Sequence, residues 1–93
     1  MATPVFDIGD GVRVTGTFIG LNGLTADPTN VVFRLRDPLG IVTTPNVIRL
    51  RAGSYYADFV VNARGTWTYR WEGTGTVIAA EEGRLAVRPS AFV

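Results

Sequence analysis

Apolar and polar residues alternate along most of this chain, in short runs that turn-forming residues interrupt about every 8–12 positions. β-branched residues dominate the runs, and no window combines a 3.6-residue period with helix caps. This pattern predicts an all-β fold of about seven strands. A two-sheet antiparallel sandwich fits that number of strands best, and an open five-stranded barrel is the alternative.

The runs also predict where the strands lie. The first run is short and begins at a proline, which favours an edge strand. The fourth and fifth runs share no single alternation, so we expect an irregular strand or a change of sheet there. Residues 73–75 are predicted to form a hairpin turn, and an interruption of the last strand at residues 81–83 is left open. The predicted strands cover residues 4–8, 12–19, 31–37, 41–44, 47–51, 55–61, 65–72 and 76–87.

Aromatic residues occupy alternate positions of one predicted strand, where Trp67, Tyr69 and Trp71 share a face. One interpretation is a platform that stacks sugars or bases, which would have to face solvent. Polar side chains, from Thr68 to Glu72, hold the opposite face, so we interpret the aromatic face as core. The predicted core residues are Phe18, Phe33, Tyr55, Phe59, Trp67, Tyr69 and Trp71.

Cysteine and histidine are both absent from the chain. Their absence excludes thiol nucleophiles, disulfides, imidazole metal ligands and histidine acid–base chemistry. Ser54 and Ser90 are the only serines, and neither can have a histidine partner. Asp7, Asp10 and Asp27 lack the spacing of a calcium-binding loop. We therefore predict a protein that is not an enzyme and that holds no cofactor and no metal.

The net charge is +1, and all nine basic residues are arginine. A charge so close to zero does not favour nucleic acid or a membrane surface as a partner. No uncharged apolar stretch is as long as a membrane-spanning helix needs, and the N-terminus lacks the basic and apolar regions of a signal peptide. We therefore expect no nucleic acid and no membrane as partners.

Several arginines fall on the predicted outward faces of strands. Arg34 and Arg36 share one strand, Arg49 and Arg51 share a later one, and Arg70 lies on the aromatic strand. If these strands belong to one sheet, its outer face carries a basic row that can dock on an acidic partner surface.

The alternative is a solvated face on which Asp58 and Glu72 neutralise the arginines across strands. The tail ends in residues 91–93, and its apolar tip is unusual unless a partner covers it, so the tail and the N-terminal segment are candidate anchors. The predicted docking residues are Arg34, Arg36, Arg70, Glu72 and Phe92.

Five short motifs together extend over nearly the whole chain, to about Pro89. They are residues 6–14 (FDIGDGVRV), 27–31 (DPTNV), 36–40 (RDPLG), 53–57 (GSYYA) and 65–75 (GTWTYRWEGTG). In this order they resemble the small immunoglobulin-like domain proteins of tailed-bacteriophage virions.

The resemblance implies one immunoglobulin-like or fibronectin-III-like antiparallel β-sandwich domain over residues 1–93. Trp67 stands where such domains have the tyrosine of strand F, and Tyr69 stands where they have the cysteine, so aromatic packing takes the place of the disulfide.

The resemblance also implies a function. The family members are non-enzymatic structural proteins of the virion, and a capsid decoration protein that docks in many copies on the particle fits best. The partners would then be other virion proteins, such as capsid, connector or tail subunits. The alternatives are a head–tail joining or tail accessory protein, and a carbohydrate- or cell-surface-binding module that uses loop residues 21–30.

Overall fold

The computed structural model describes residues 3–92, and every regular element in that range is a β-strand. No helix in the described range is long and apolar enough to cross a membrane. The strands are β1 (Val5–Asp7), β2 (Gly11–Thr17), β3 (Asn30–Arg36), β4 (Val42–Thr43), β5 (Val47–Arg51), β6 (Ser54–Val60), β7 (Gly65–Thr74) and β8 (Ala79–Arg88).

The strands form two sheets, one of five strands in the order β1-β8-β7-β3-β4 and one of three in the order β2-β6-β5. The predicted all-β sandwich is therefore confirmed, and no open five-stranded barrel forms. The alternation along each strand explains the two layers, because apolar residues at every second position face the other sheet.

The first strand departs from the predicted antiparallel succession, since β1 pairs with β8 in parallel. The turn that follows β1 is the cause. Gly9 has a φ of 99°, which favours glycine, and the Asp7 backbone N–H donates to the Asp10 carboxylate at 2.8 Å. This tight turn takes the chain from one sheet to the other, so β1 and β2 lie in different sheets and cannot pair.

The broken alternation near Pro45 corresponds to a change of sheet. β4 pairs with β3 in the five-stranded sheet, whereas β5 pairs with β6 in the three-stranded sheet. Proline has no N–H to give to a ladder, so the chain crosses between the layers at a position where no ladder bond is lost.

The last hairpin differs from the prediction in the position of its turn, and it settles the interruption that the sequence left open. Gly73 and Thr74 belong to β7, and the turn lies at residues 75–78, where Gly75 has a φ of 93°. β8 is continuous through Glu81 and Glu82, with no interruption. The ladder with β7 explains this continuity, because it pairs Glu81 with Trp71 and Glu82 with Arg70 and has no register shift.

Aromatic side chains form the centre of the core between the sheets. The ring centroids of Phe33 and Trp71 lie 4.7 Å apart, and Phe18 meets Trp71 edge-on at 6.5 Å. Burying one aromatic side chain contributes on the order of 4–6 kcal/mol as an upper bound. The buried hydrophobic residues are Val12, Phe18, Phe33, Leu35, Tyr55, Ala57, Val61, Trp67, Trp71, Val77, Leu85 and Val87.

Two of the predicted core residues, Phe59 and Tyr69, are half-buried and pack against this cluster. Trp71 has only 2% of its surface exposed and contacts the opposite sheet at Gly16. A Cβ atom at Gly16 would lie 2.8 Å from two atoms of the indole ring, so glycine is what allows the two sheets to approach here.

Candidate docking surface

The outer face of the five-stranded sheet carries a row of paired charges, which we call the charged row: Arg34, Arg70, Glu72 and Glu82. The register places Arg34 of β3 directly opposite Arg70 of β7. Like charges that face each other across strands repel, and Glu72 offsets that repulsion by lying beside both.

The carboxylates connect the charged row across three strands. Arg34 Nε lies 2.5 Å from Glu72 Oε1, and Arg70 Nε lies 3.5 Å from Glu72 Oε2. Arg70 Nη1 donates to Glu82 Oε2 of β8 at 2.9 Å. The side chains of the row are thus held in a fixed arrangement, with Arg34 and Glu82 exposed to solvent and Arg70 and Glu72 partly buried.

The hydrogen bonds of the row favour the charged forms of Glu72 and Arg70. The hydrogen bond from Arg34 lowers the pKa of Glu72, and the hydrogen bond to Glu82 raises the pKa of Arg70. Exposed pairs of this kind add little to the free energy of unfolding. We therefore infer that these ion pairs matter for the charged surface that they form and not for the free energy of unfolding.

A shallow depression of about 240 Å³ lies beside the charged row and is bordered by Arg34, Arg36 and Thr68. Arg36 forms no salt bridge with any residue in the range 3–92, so its guanidinium is available to a partner. The outward positions of this sheet carry five arginines, Arg34, Arg36, Arg70, Arg84 and Arg88, against three carboxylates, Asp7, Glu72 and Glu82.

The other predicted arginines do not belong to this face. Arg49 and Arg51 lie on β5 in the three-stranded sheet, so the basic row does not include them. Asp58 lies on β6 of the same sheet and forms a bidentate pair with Arg13, at 2.8 and 2.9 Å, instead of neutralising the arginines of β3 and β7. Sequence alternation gives the face of each residue but not the sheet to which its strand belongs.

Asp27 is a cross-linking residue, a role for which its sequence position gives no signal. Its carboxylate accepts hydrogen bonds from the Arg49 side chain at 3.0 Å, the Gly53 backbone N–H at 2.8 Å and the Tyr55 hydroxyl at 2.7 Å. These donors, with Arg49 the largest contributor, hold the pKa of Asp27 far below its ordinary value. Asp27 therefore ties the loop between β2 and β3 to β5, the opposite edge strand of the three-stranded sheet.

The predicted tip at Phe92 is 96% exposed. Phe92 lies beyond Arg88, the last residue of β8. Along that strand Arg88 is six residues, or about 20 Å, from Glu82 of the charged row. The structure thus does not bring Phe92 together with the charged row. Val93, the last residue of the predicted anchor, lies outside the described residues.

No group of three or more potential metal-ligating side chains occurs among residues 3–92. The acidic residues weighed as calcium ligands have other partners. The Asp7 carboxylate pairs with Arg88 at 2.5 Å, and the Asp27 carboxylate pairs with Arg49.

Comparison with known proteins adds a likeness of fold. No protein-family model matches the chain, and no curated protein matches it significantly. A solved structure of a DUF4785 family protein from Legionella pneumophila is similar, with a TM-score of 0.66 and 21% sequence identity. The similarity covers 90% of this chain but only 25% of that chain, so this chain spans about a quarter of its length. At that identity the likeness concerns the fold.

Proposed function

We propose that this chain is a non-enzymatic docking module of a tailed-bacteriophage virion, and that it binds the particle as a capsid decoration protein. The observation that carries the proposal is the charged row with the free guanidinium of Arg36 beside it. A row fixed across three strands presents its charges in one geometry, so a partner loses little conformational freedom in meeting it. The virion as the partner rests on the sequence motifs.

The immunoglobulin-like part of the proposal is supported by the strand order. In immunoglobulin sandwiches the second, fourth and fifth lettered strands share one sheet, and the third, sixth and seventh share the other. Here β2, β5 and β6 share one sheet while β3, β7 and β8 share the other. With β4 counted as an additional strand of the larger sheet, the second to seventh lettered strands have this arrangement, whereas β1 lies beside β8 in the larger sheet.

The mechanism is rigid-body docking through the outer face of the five-stranded sheet. Carboxylates of the partner would meet Arg36 and share Arg34 and Arg70 with Glu72 and Glu82, with planar bidentate geometry at each guanidinium. Because these side chains are exposed, binding through them weakens as ionic strength rises.

A second candidate function has support from the loop between β2 and β3. Leu21 and Leu24 are exposed at its tip, at 110% and 67%, while Asp27 fixes its base. An ordered loop with an apolar tip suits a carbohydrate- or cell-surface-binding module. A head–tail joining or tail accessory role would use the same face as capsid decoration and differs only in the particle surface.

The test mixes the purified protein with empty capsids, with tails and with host-envelope glycans, and measures bound protein per particle. We expect saturable binding to capsids that Arg34→Ser, Arg36→Ser and Arg70→Ser together reduce at least tenfold. The matched control, Arg13→Ser, Arg51→Ser and Arg64→Ser, removes the same charge elsewhere and should keep occupancy within about twofold. Binding to glycans alone, or equal losses in both triple variants, would contradict the proposal.

A further inference from the structure

A groove runs along the free edge of β2, on the side where the sandwich opens between β2 and β8. Two depressions follow one another there, one of about 230 Å³ beside residues 12–15 and one of about 120 Å³ beside residues 16–18. Leu85 and Phe6 form part of the floor of the first, and Trp71 and Ala79 form part of the floor of the second. We call the two together the β2 groove.

The backbone along this groove has unused hydrogen-bonding groups. β2 is the last strand on its side of the sheet, and within residues 3–92 it forms a ladder with β6 alone. The Phe18 N–H donates to Gly53, and the Asp10 carbonyl accepts from Val61, so the even-numbered residues direct their polar groups to β6. In an antiparallel ladder the alternate residues, Arg13, Thr15 and Thr17, then direct theirs away from the sheet.

The groove exists because the core-facing side of β8 is apolar and buried at one end of the strand and open at the other. Leu85 and Val87 are apolar and buried there, the Tyr69 ring covers Gly83, and Glu81 is exposed although it belongs to the same face. Glu81 forms no salt bridge within residues 3–92. Arg13 and Arg84 border the first depression, but Glu81 borders the second, where no arginine lies in the lining.

We propose that the β2 groove accepts an extended segment of another protein, which adds as a fourth strand to the three-stranded sheet. Main-chain bonds to Arg13, Thr15 and Thr17 would give affinity, and alternate side chains entering the groove would give specificity. Charge complementarity defines the segment: apolar residues at alternate positions, with one lysine or arginine opposite Glu81. The inference does not rest on the charged row, because that row lies on the outer face of the five-stranded sheet and the groove lies between the sheets at the edge of β2.

A second copy of this chain fits the groove less well. If β2 of another copy paired with β2, its core-facing residues would be Val12, Val14 and Gly16, none of which is basic. Glu81 would then be covered with no cation to neutralise it, which is costly. The segment is therefore assigned to a different protein.

The two tryptophans provide an internal readout for a binding test. The Trp71 indole borders the groove, and its buried Nε1–H has no hydrogen-bond partner within residues 3–92. The Trp67 Nε1–H donates to the Ala63 carbonyl at 3.0 Å. The probe is a capped eight-residue peptide of alternating valine and threonine, with one core-facing valine replaced by lysine, and the control peptide has glutamate in place of that lysine.

We expect the lysine peptide to shift the Trp71 indole signal in a ¹⁵N spectrum and leave the Trp67 signal in place. It should also slow amide exchange at Thr15 and Thr17. Glu81→Gln should weaken binding about two- to fivefold, as the loss of an exposed ion pair does. Equal binding of the two peptides, equal movement of both indole signals, or unchanged amide exchange would overturn the proposal.

Two variants at Thr15 distinguish the contribution of its backbone N–H to peptide binding from that of its side chain. Thr15→Pro removes an outward N–H without touching the ladder to β6, so it should weaken peptide binding at least tenfold, whereas Thr15→Ala should change it less than about twofold. Similar binding by both, or a concentration-dependent dimer that excludes the peptide, would refute the assignment. The Arg34, Arg36 and Arg70 triple variant should bind the peptide normally, so this test fails or succeeds independently of particle docking.

Discussion

The two edges of the three-stranded sheet are built in opposite ways. β5 is a short edge strand with a register shift between Arg49 and Arg51, and Asp27 ties it to a neighbouring loop. β2 is a regular seven-residue strand with no register shift and an open groove beside it. Bulges and charged residues are the usual means by which proteins prevent an edge from pairing with another chain.

This difference shows that one edge of a small sheet can be protected from pairing with another chain while the other edge is not. The β5 edge has a bulge, two arginines and the crossover from β4, each of which hinders an incoming strand. The β2 edge has only one charged residue, Arg13, and that side chain is occupied by Asp58 and lies 3.9 Å from the Tyr56 ring centroid. An edge that keeps its regular backbone is available for recognition.

The largest expected effect is that of Trp71→Ala, which removes the ring that supports the β2 edge. We expect a loss of about 3–5 kcal/mol in the free energy of unfolding, because the site is fully buried and its cavity would be large. Denaturant unfolding measures it. A loss below about 1 kcal/mol would show that β2 does not depend on Trp71.

A smaller effect is expected for Gly16→Ala, since its Cβ would lie 2.8 Å from the indole. We expect a loss of about 1–3 kcal/mol from overpacking. Gly11→Ala on the same strand is the matched control, because its Cβ would meet nothing within 4 Å. Equal melting temperatures for the two variants would contradict close packing of β2 on Trp71.

The pH dependence of the melting temperature tests whether Asp27 ties its loop to the β5 edge. A carboxylate whose pKa is lowered on folding stabilises the folded state above its ordinary pKa, and that contribution is lost as the pH falls. For Asp27, whose ordinary pKa is 3.8, the loss begins as the pH falls below about 4. Asp27→Asn should therefore show a smaller drop in melting temperature between pH 5 and pH 2 than the natural chain shows.

Asp58→Asn is the comparison variant for this experiment. Arg13 alone lowers the pKa of Asp58, whereas Arg49, Gly53 and Tyr55 all lower that of Asp27. The acid-dependent drop should thus change less in Asp58→Asn than in Asp27→Asn. The reverse order would mean that Asp27 does not tie the loop to β5.

The smallest change in the free energy of unfolding is expected for a substitution of Ile48, which is 47% exposed on β5. Ile48→Thr keeps the β-branched shape, so the free energy of unfolding should change by no more than about 0.5 kcal/mol. Binding of the valine–threonine peptide should also stay within about twofold, since the β5 edge is not its site. A marked loss of peptide binding would place the acceptor edge on β5 instead of β2.

The local features of the fold could be predicted from sequence because they follow from alternation. The phase of Trp67, Tyr69 and Trp71 indicates which side faces the core, and the broken pattern near Pro45 indicates the change of sheet. Strand partners could not be predicted in the same way, since pairing depends on contacts distant in sequence. Arg49 was therefore grouped with the arginines of β3, although it lies on the other sheet.

The candidate sites show the same limit. Both Arg34 and Arg70 could be predicted to face outward, but that they lie directly opposite each other appears only once β3 and β7 pair. From the sequence, Glu81 could be recognised only as part of a possible interruption of the last strand. Its position on the core-facing side of an intact β8, beside Gly16 of β2, is what produces the groove, and no single run of sequence contains both residues.

The most direct test of the open β2 edge compares hydrogen exchange of the two indole N–H groups in one spectrum. Trp71 is the more buried, at 2% exposure against 5% for Trp67, yet its N–H has no partner within residues 3–92 and its ring borders the groove. The account predicts that the Trp71 N–H exchanges faster than the Trp67 N–H, which is bonded to Ala63. Slower exchange at Trp71 would mean that the sandwich is closed along β2, and would contradict it.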